Sequence, residues 1–279
     1  MNLAAEVAQA VRKAIAAGQT PGAVVLIGEH DRVLLHEAYG DRMVTPGRRP
    51  MQRDTLFDLA SLTKPLATAT AVMQLTDRHV LSPEDPVARW LPDYRGPGRD
   101  ETTLWHLLTH ASGLPAYRNY LHDFDATLAP AERRTRVVAD LCRLPLQHAP
   151  GTAFVYSCLG YILLASVIEA ACGQPLDRWF AAEIAAPLGL TDTGFCPDSR
   201  RRARCAATEV LPEGVLMGVV HDENARYLGG VGGNAGLFGT AREVARLARL
   251  MLRGGELEGV RLLSEAAVAR MTRPELSLP

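Results

Sequence analysis

The feature that most restricts the fold is the order in which two kinds of hydrophobic pattern follow one another. Behind the breaker Pro21-Gly22, Ala23, Val24, Val25, Leu26 and Ile27 form a buried-strand run, and a polar turn at 29–32 leads into Val33, Leu34, Leu35 and His36. This pair of runs reads as a β-hairpin. A polar stretch rich in Pro and Arg, residues 41–53, reads as a loop. From about residue 57 to 202 the signals are helical and punctuated, with helices expected over 61–79, 102–110, 130–144 and 157–172. Ser157 supplies an N-cap for the last of these and Gly173 a stop. A glycine-dense stretch, 229–239, then precedes an amphipathic helix over 241–252, ended by Gly254-Gly255, and a short helix over 264–271. Strands first, a long helical middle, then a glycine loop and helices describe a helical region inserted into an α/β region. The expected class is therefore α+β: one domain, 1–279, with an α/β lobe from 1–56 and 205–279 and a helical lobe from 57–204.

Composition narrows the function. With 30 Lys and Arg against 31 Asp and Glu the chain is nearly neutral, which argues against an electrostatic nucleic-acid binder. The basic run Arg200, Arg201, Arg202 and Arg204 reads as a solvated loop. No apolar run approaches the roughly 18 residues of a membrane span. Residues 1–20 read as an amphipathic helix without the charged start and continuous apolar stretch of a secretory signal, so a cytoplasmic location is expected. Cys142, Cys158, Cys172, Cys196 and Cys205 form no C-x-x-C pattern and read as reduced, packing thiols.

Only two lysines occur, Lys13 and Lys64, so any motif that needs a lysine must use one of them. Lys64 falls three residues after Ser61. On a helix, positions i and i+3 share a face, which lets an amine reach a hydroxyl. Serine is a poor nucleophile until a neighbouring base takes its proton, and a lysine kept neutral by burial or a nearby cation can do so. Pro65 is comfortable only in a first helical turn, so the helix is expected to start near Ser61, with its hydroxyl at the positive end of the helix dipole. Eight serines and two lysines in 279 residues produce about 0.06 such spacings by chance.

The surroundings of this pair are more specific than the pair. Residues 54–64, from Asp54 through Leu59-Ala60-Ser61-Leu62-Thr63-Lys64, resemble the nucleophile segment of the serine beta-lactamase-related family. That group comprises class C-like beta-lactamases, penicillin-binding D-alanyl-D-alanine peptidases and esterases. Leu107-Leu108-Thr109-His110-Ala111-Ser112-Gly113-Leu114 is similar to a second signature, and Pro150-Gly151-Thr152 with Phe154-Val155-Tyr156-Ser157 and Gly160-Tyr161 to a third. Gly236-Leu237-Phe238 with Thr240-Ala241 resembles the approach to the family's later helix, and the opening hairpin matches as well. The resemblance runs from about residue 5 to 273.

It implies a beta-lactamase/transpeptidase-like fold and acyl transfer without cofactor or metal, on an ester, a β-lactam or a D-alanyl peptide. Ser61 would be the acylated nucleophile, Lys64 its proton partner, and Tyr156 the group that passes the proton to the leaving group. Two departures stand out. The family's tyrosine motif ends in an asparagine whose amide binds substrate, and here that substrate-binding position is Cys158, whose thiol cannot replace a carboxamide. The family's later [KH]-[TS]-G strand is not found: neither lysine is followed by Thr-Gly, and no histidine by Thr-Gly or Ser-Gly. That strand carries the second oxyanion donor beside the Ser61 N–H, and loss of one donor costs ~10²–10³ in rate. The expectation is a chain lacking the C-terminal sheet strands, with weak activity, or a silent binding or regulatory relic of the same fold.

Other motifs read as structural. His106 and His110 sit at i and i+4, but a zinc-protease pattern needs Glu where Leu107 stands, so a helix-end role is expected. The glycines from Gly230 to Gly236 lack dinucleotide-loop spacing and read as a tight loop lining a cleft. Ser112 has His110 where a nucleophile elbow needs glycine.

Overall fold

The computed structural model describes residues 3–274. The first helix, Leu3–Ala16, buries none of its residues and lies on the opening sheet. Strands β1 (Gly22–Glu29) and β2 (Arg32–Met43) pair antiparallel with Val24 opposite Ala38 and Ile27 opposite Leu35. The stretch expected as a loop over 41–53 instead carries the end of β2 and a short third strand, β3 (Arg49–Pro50), with Asp41 opposite Pro50. Pro50 is tolerated because β3 is an edge strand, where a missing N–H breaks no ladder. The other edge of the sheet is β1, which has no second strand partner among the described residues.

The helical part is organised around Cys158–Cys172, which is apolar on nearly every face: Leu159 through Ala165, Val167 and Ile168 are all buried. Ser157 caps its start by accepting from the Gly160 N–H, and Gly173 ends it at φ +74. Around it pack Leu104, Leu107, Val137, Leu141 and Trp179, and also Tyr227, Leu228 and Val231 from beyond residue 205. A second core joins Leu66, Ala67, Phe180, Ile184, Leu237, Leu247 and Leu250. The segment after Ser61 belongs to both, with Leu66 and Ala67 in one core and Ala71, Val72 and Leu75 in the other. The candidate nucleophile therefore sits where the two cores meet.

That segment is not the single helix expected over 61–79. A 3₁₀ turn, Ala60–Leu62, runs into a wide π turn, Lys64–Ala69, and only Thr70–Asp77 is regular α-helix. Pro65 explains the break, because it has no N–H to give and its ring crowds the carbonyl four residues back, that of Ser61. The helices expected over 102–110 and 130–144 are shorter than their patterns, Leu104–Leu108 and Pro130–Leu141, while Ala241–Leu252 matches its pattern. No single helix among the described residues is long and apolar enough to cross a membrane.

Candidate active site

The turn that presents Ser61 is held from three directions. The two-residue strand Phe57–Asp58 pairs antiparallel with Leu237–Gly239, and the Leu59 N–H then donates to the Leu237 carbonyl at 2.9 Å. Ala60 takes φ +45, a conformation costly for a residue with a Cβ. It is secured there by the Asp58 carboxylate, which accepts from the Ala60 N–H at 2.9 Å and, through its other oxygen, from the His221 N–H at 2.7 Å. Ser61 emerges exposed from this turn.

Lys64 lies beneath it and is only 3% exposed. Its Nζ donates to Ser61 Oγ at 3.0 Å, to the Asn234 carbonyl at 3.0 Å and to Cys158 Sγ at 3.6 Å. It also faces the ring of Tyr156, 4.9 Å from the centroid, and that of Tyr161 at 5.7 Å. The i, i+3 reach expected from the sequence is thus realised, although the backbone between the two residues is 3₁₀ and π rather than α.

The Asn234 carbonyl is delivered by the glycine-dense stretch, which is fastened along the same segment: Thr68 Oγ1 donates to the Gly233 carbonyl at 2.7 Å, and Thr63 Oγ1 accepts from the Leu237 N–H at 3.1 Å. Gly233 has to be glycine, because a Cβ there would stand 1.9 Å from the Tyr161 carbonyl oxygen. The Asn234 side chain is fully buried and donates to Asp222 Oδ1 at 2.9 Å. Asn234, Asp222 and Asp58 were not anticipated from the sequence, where the glycine density around residue 234 was the one available signal.

Tyr156 and Cys158 arrive together at the start of the buried helix, whose Cys158 N–H donates to the Ala116 carbonyl at 2.9 Å. Tyr156 is 47% exposed, and among the described residues its phenol oxygen makes no hydrogen bond to Ser61 or Lys64. Such bonds often tighten only around a bound substrate. Tyr117, partly exposed, donates to Glu223 at 2.9 Å; its partial burial and that carboxylate push its phenol up. Beside the site runs a cleft of about 480 Å³ lined by Pro65, Met73, Trp105, His110, Phe154 and Met271, among others.

The two histidines considered as a metal pair do different work. His106 Nδ1 accepts from the Thr103 N–H at 3.1 Å and closes a capping box. His110 lies against Tyr156, and its imidazole is pushed down to about 4 by burial and by the charge of Lys64. Ser112 is buried away from Ser61, with its hydroxyl accepting from the Leu114 N–H. The basic run expected as a loop includes a short helix, Ser199–Arg202, and Arg204 is engaged with Asp192 at 2.7 Å. Short-range capping by Asp198, which accepts from the Arg201 N–H, sets that turn.

The profile described as Beta-lactamase matches residues 7–278, nearly the whole chain. The chain belongs to the beta-lactamase family. An N-acetylmuramyl-L-alanine amidase of Bacillus subtilis (strain 168) is 33% identical over 302 residues, covering 98% of this chain and 68% of the relative. A relative from Escherichia coli (strain K12), provisionally named a D-alanyl-D-alanine carboxypeptidase, is 32% identical over 280 residues, covering 90% of this chain and 64% of the relative. Among solved structures, EstCE1, described as a hydrolase with promiscuous acyltransferase activity, superposes with a TM-score of 0.76 at 28% identity, over 96% of this chain and 76% of that one. The beta-lactamase family member described here thus has the beta-lactamase/transpeptidase-like fold expected from its motifs. It spans about two thirds of the length of the curated relatives it matches.

Proposed function

We propose that this chain is a serine hydrolase that transfers an acyl group from an ester, a β-lactam or a D-alanyl peptide through Ser61. The observation that carries the reading is the buried Lys64 amine 3.0 Å from the Ser61 hydroxyl. In the first half-reaction Ser61 Oγ attacks the acyl carbonyl while Lys64, in its amine form, takes the hydroxyl proton. The Asn234 carbonyl, accepting from the same nitrogen at 3.0 Å, helps keep it beside Oγ. The tetrahedral oxyanion is stabilised by the Ser61 backbone N–H. Its collapse breaks the acyl C–O or C–N bond, and the alcohol or amine takes up a proton and departs, or stays tethered to the acyl group when the substrate is a β-lactam. In this reading Tyr156, whose ring faces the Lys64 amine at 4.9 Å, passes that proton and later takes one from the hydrolytic water. Cys158, whose thiol meets the Lys64 amine at 3.6 Å, contributes only a weakly polar group to substrate binding in this reading.

The test is covalent labelling with a fluorophosphonate and with a labelled penicillin, alongside hydrolysis of p-nitrophenyl butyrate. The reading expects one label per chain, lost in Ser61→Ala. Labelling that survives Ser61→Ala overturns it.

A further inference from the structure

His110 grips the backbone on both sides of Tyr156. Its carbonyl accepts from the Val155 N–H at 2.9 Å, and its Nδ1 accepts from the Ser157 N–H at 3.1 Å. Between these two bonds the imidazole lies on the Tyr156 ring, with centroids 4.4 Å apart and planes tilted by 39°. Its surroundings are completed by Tyr161 at 5.1 Å and by the edge of Phe154 at 5.9 Å. To reach this position His110 adopts φ +60, a left-handed conformation uncommon for residues other than glycine, two residues past the end of a five-residue helix. A strained backbone kept at the wall of a candidate site invites a functional explanation.

We infer that His110 is the positioning residue for Tyr156, holding the phenol at a fixed distance from Lys64 and Ser61 through its carbonyl, its Nδ1 and its ring face. The inference rests on the reading of Tyr156 as a proton-transfer group. Nδ1 can accept only when it carries no proton, so the imidazole works as the neutral Nε2–H form. Burial among Tyr156, Tyr161 and Phe154 keeps it so, and the Lys64 charge of the resting site adds to the effect. Asparagine is the informative replacement: it tolerates the left-handed backbone and its amide oxygen can accept from Ser157, but it offers no ring. Leucine offers neither acceptor nor ring.

Hydrogen exchange of the segment 154–158 reads the clamp without any need for activity. In His110→Leu this segment is expected to exchange at least about tenfold faster while the helix Cys158–Cys172 keeps its protection, and His110→Asn is expected to restore most of it. For p-nitrophenyl butyrate, His110→Leu should lower kcat about 100-fold with KM within about threefold, and His110→Asn should recover to within about tenfold of the parent. Should His110→Leu fail to fold, His110→Gln, whose acceptor sits one carbon farther out, takes its place. Unchanged exchange at 154–158 in the leucine variant overturns the inference, as does an equal kcat loss in leucine and asparagine variants when asparagine has restored protection. If the parent chain neither turns over ester nor labels at Ser61, the catalytic reading fails, and the exchange measurement still decides whether His110 holds Tyr156.

Discussion

Lys64 and Asn234 stand 170 residues apart in the chain, yet the Lys64 amine donates to the Asn234 carbonyl across 3.0 Å. The bond ties the Ser61–Lys64 segment to the glycine-dense loop, and it uses a backbone acceptor that no side-chain substitution at 234 can remove. Asn234→Ala would leave that carbonyl in place while freeing Asp222, so the loop would hold its position less firmly. The bond also separates the chemistry of Lys64 from its packing.

Lys64→Met tests that separation. The aliphatic stem is kept, so packing survives, but the proton acceptor is gone, and the rate of fluorophosphonate labelling should fall by about 10²–10⁴. Stability should change far less, because the buried Asn234 carbonyl loses a donor at a cost of about 1–3 kcal/mol while burial of a polar amine is replaced by burial of an apolar thioether. Labelling rate and urea midpoint, measured on one preparation, check both halves.

Gly233 and Gly18 make a matched pair for the backbone argument. Gly18→Ala meets no neighbour within 4 Å and carries only the strain of φ +69, about 1–2 kcal/mol. Gly233→Ala drives a methyl to 1.9 Å from the Tyr161 carbonyl, so the loop must move, and we expect a loss of at least about 3 kcal/mol together with slower Ser61 labelling. Equal losses for the two substitutions in urea denaturation would refute the packing account.

Glu243 is a buried acceptor away from the chemistry. Its carboxylate, 8% exposed, takes the N–H groups of Thr191, Asp192 and Thr193 and the Thr193 hydroxyl. Glu243→Gln replaces one acceptor oxygen by a donor aimed at other donors, and should cost about 2–3 kcal/mol in chemical denaturation with labelling per folded chain unchanged.

His110 also predicts a pH effect. Its folded-state value of about 4 lies below the ordinary 6.5, so between those pH values the unfolded chain binds a proton that the folded chain does not. Stability is therefore expected to fall as pH drops from 6.5 toward 4. In His110→Asn that component disappears, and the slope of stability against pH in this window should be shallower than in the parent. Identical slopes would contradict the shift.

Cys158→Asn restores a carboxamide beside Lys64. If Cys158 sets the acyl-side preference, the ratio of penicillin to ester acylation should rise about tenfold, the equivalent of one net hydrogen bond of ~1.4 kcal/mol to a substrate amide. An unchanged ratio would assign the preference elsewhere.

The sequence by itself determined the elements whose causes are local. Ser157 and Gly173 mark the ends of the central helix because a cap and a left-handed stop act within a few residues. Ser61 and Lys64 could be paired because a spacing of three brings two side chains together on any tight helical turn. The α+β order followed from where apolar periodicity changes. Tertiary structure alone decided what surrounds the pair. Asn234 contributes a carbonyl, which every residue possesses, so nothing in its identity announces the role. His110 looked like a helix-end histidine until the fold laid it against Tyr156, and Asp58 acts through two backbone N–H groups, one of them 163 residues away. Even the local geometry at Lys64 involves both levels: Pro65 disfavours a regular α-turn, and Thr63 and Thr68 fasten the segment carrying the π turn to the glycine loop. A hydrogen bond between distant segments forms only after both have been packed against a common core, and that packing is a property of the whole chain rather than of any stretch within it.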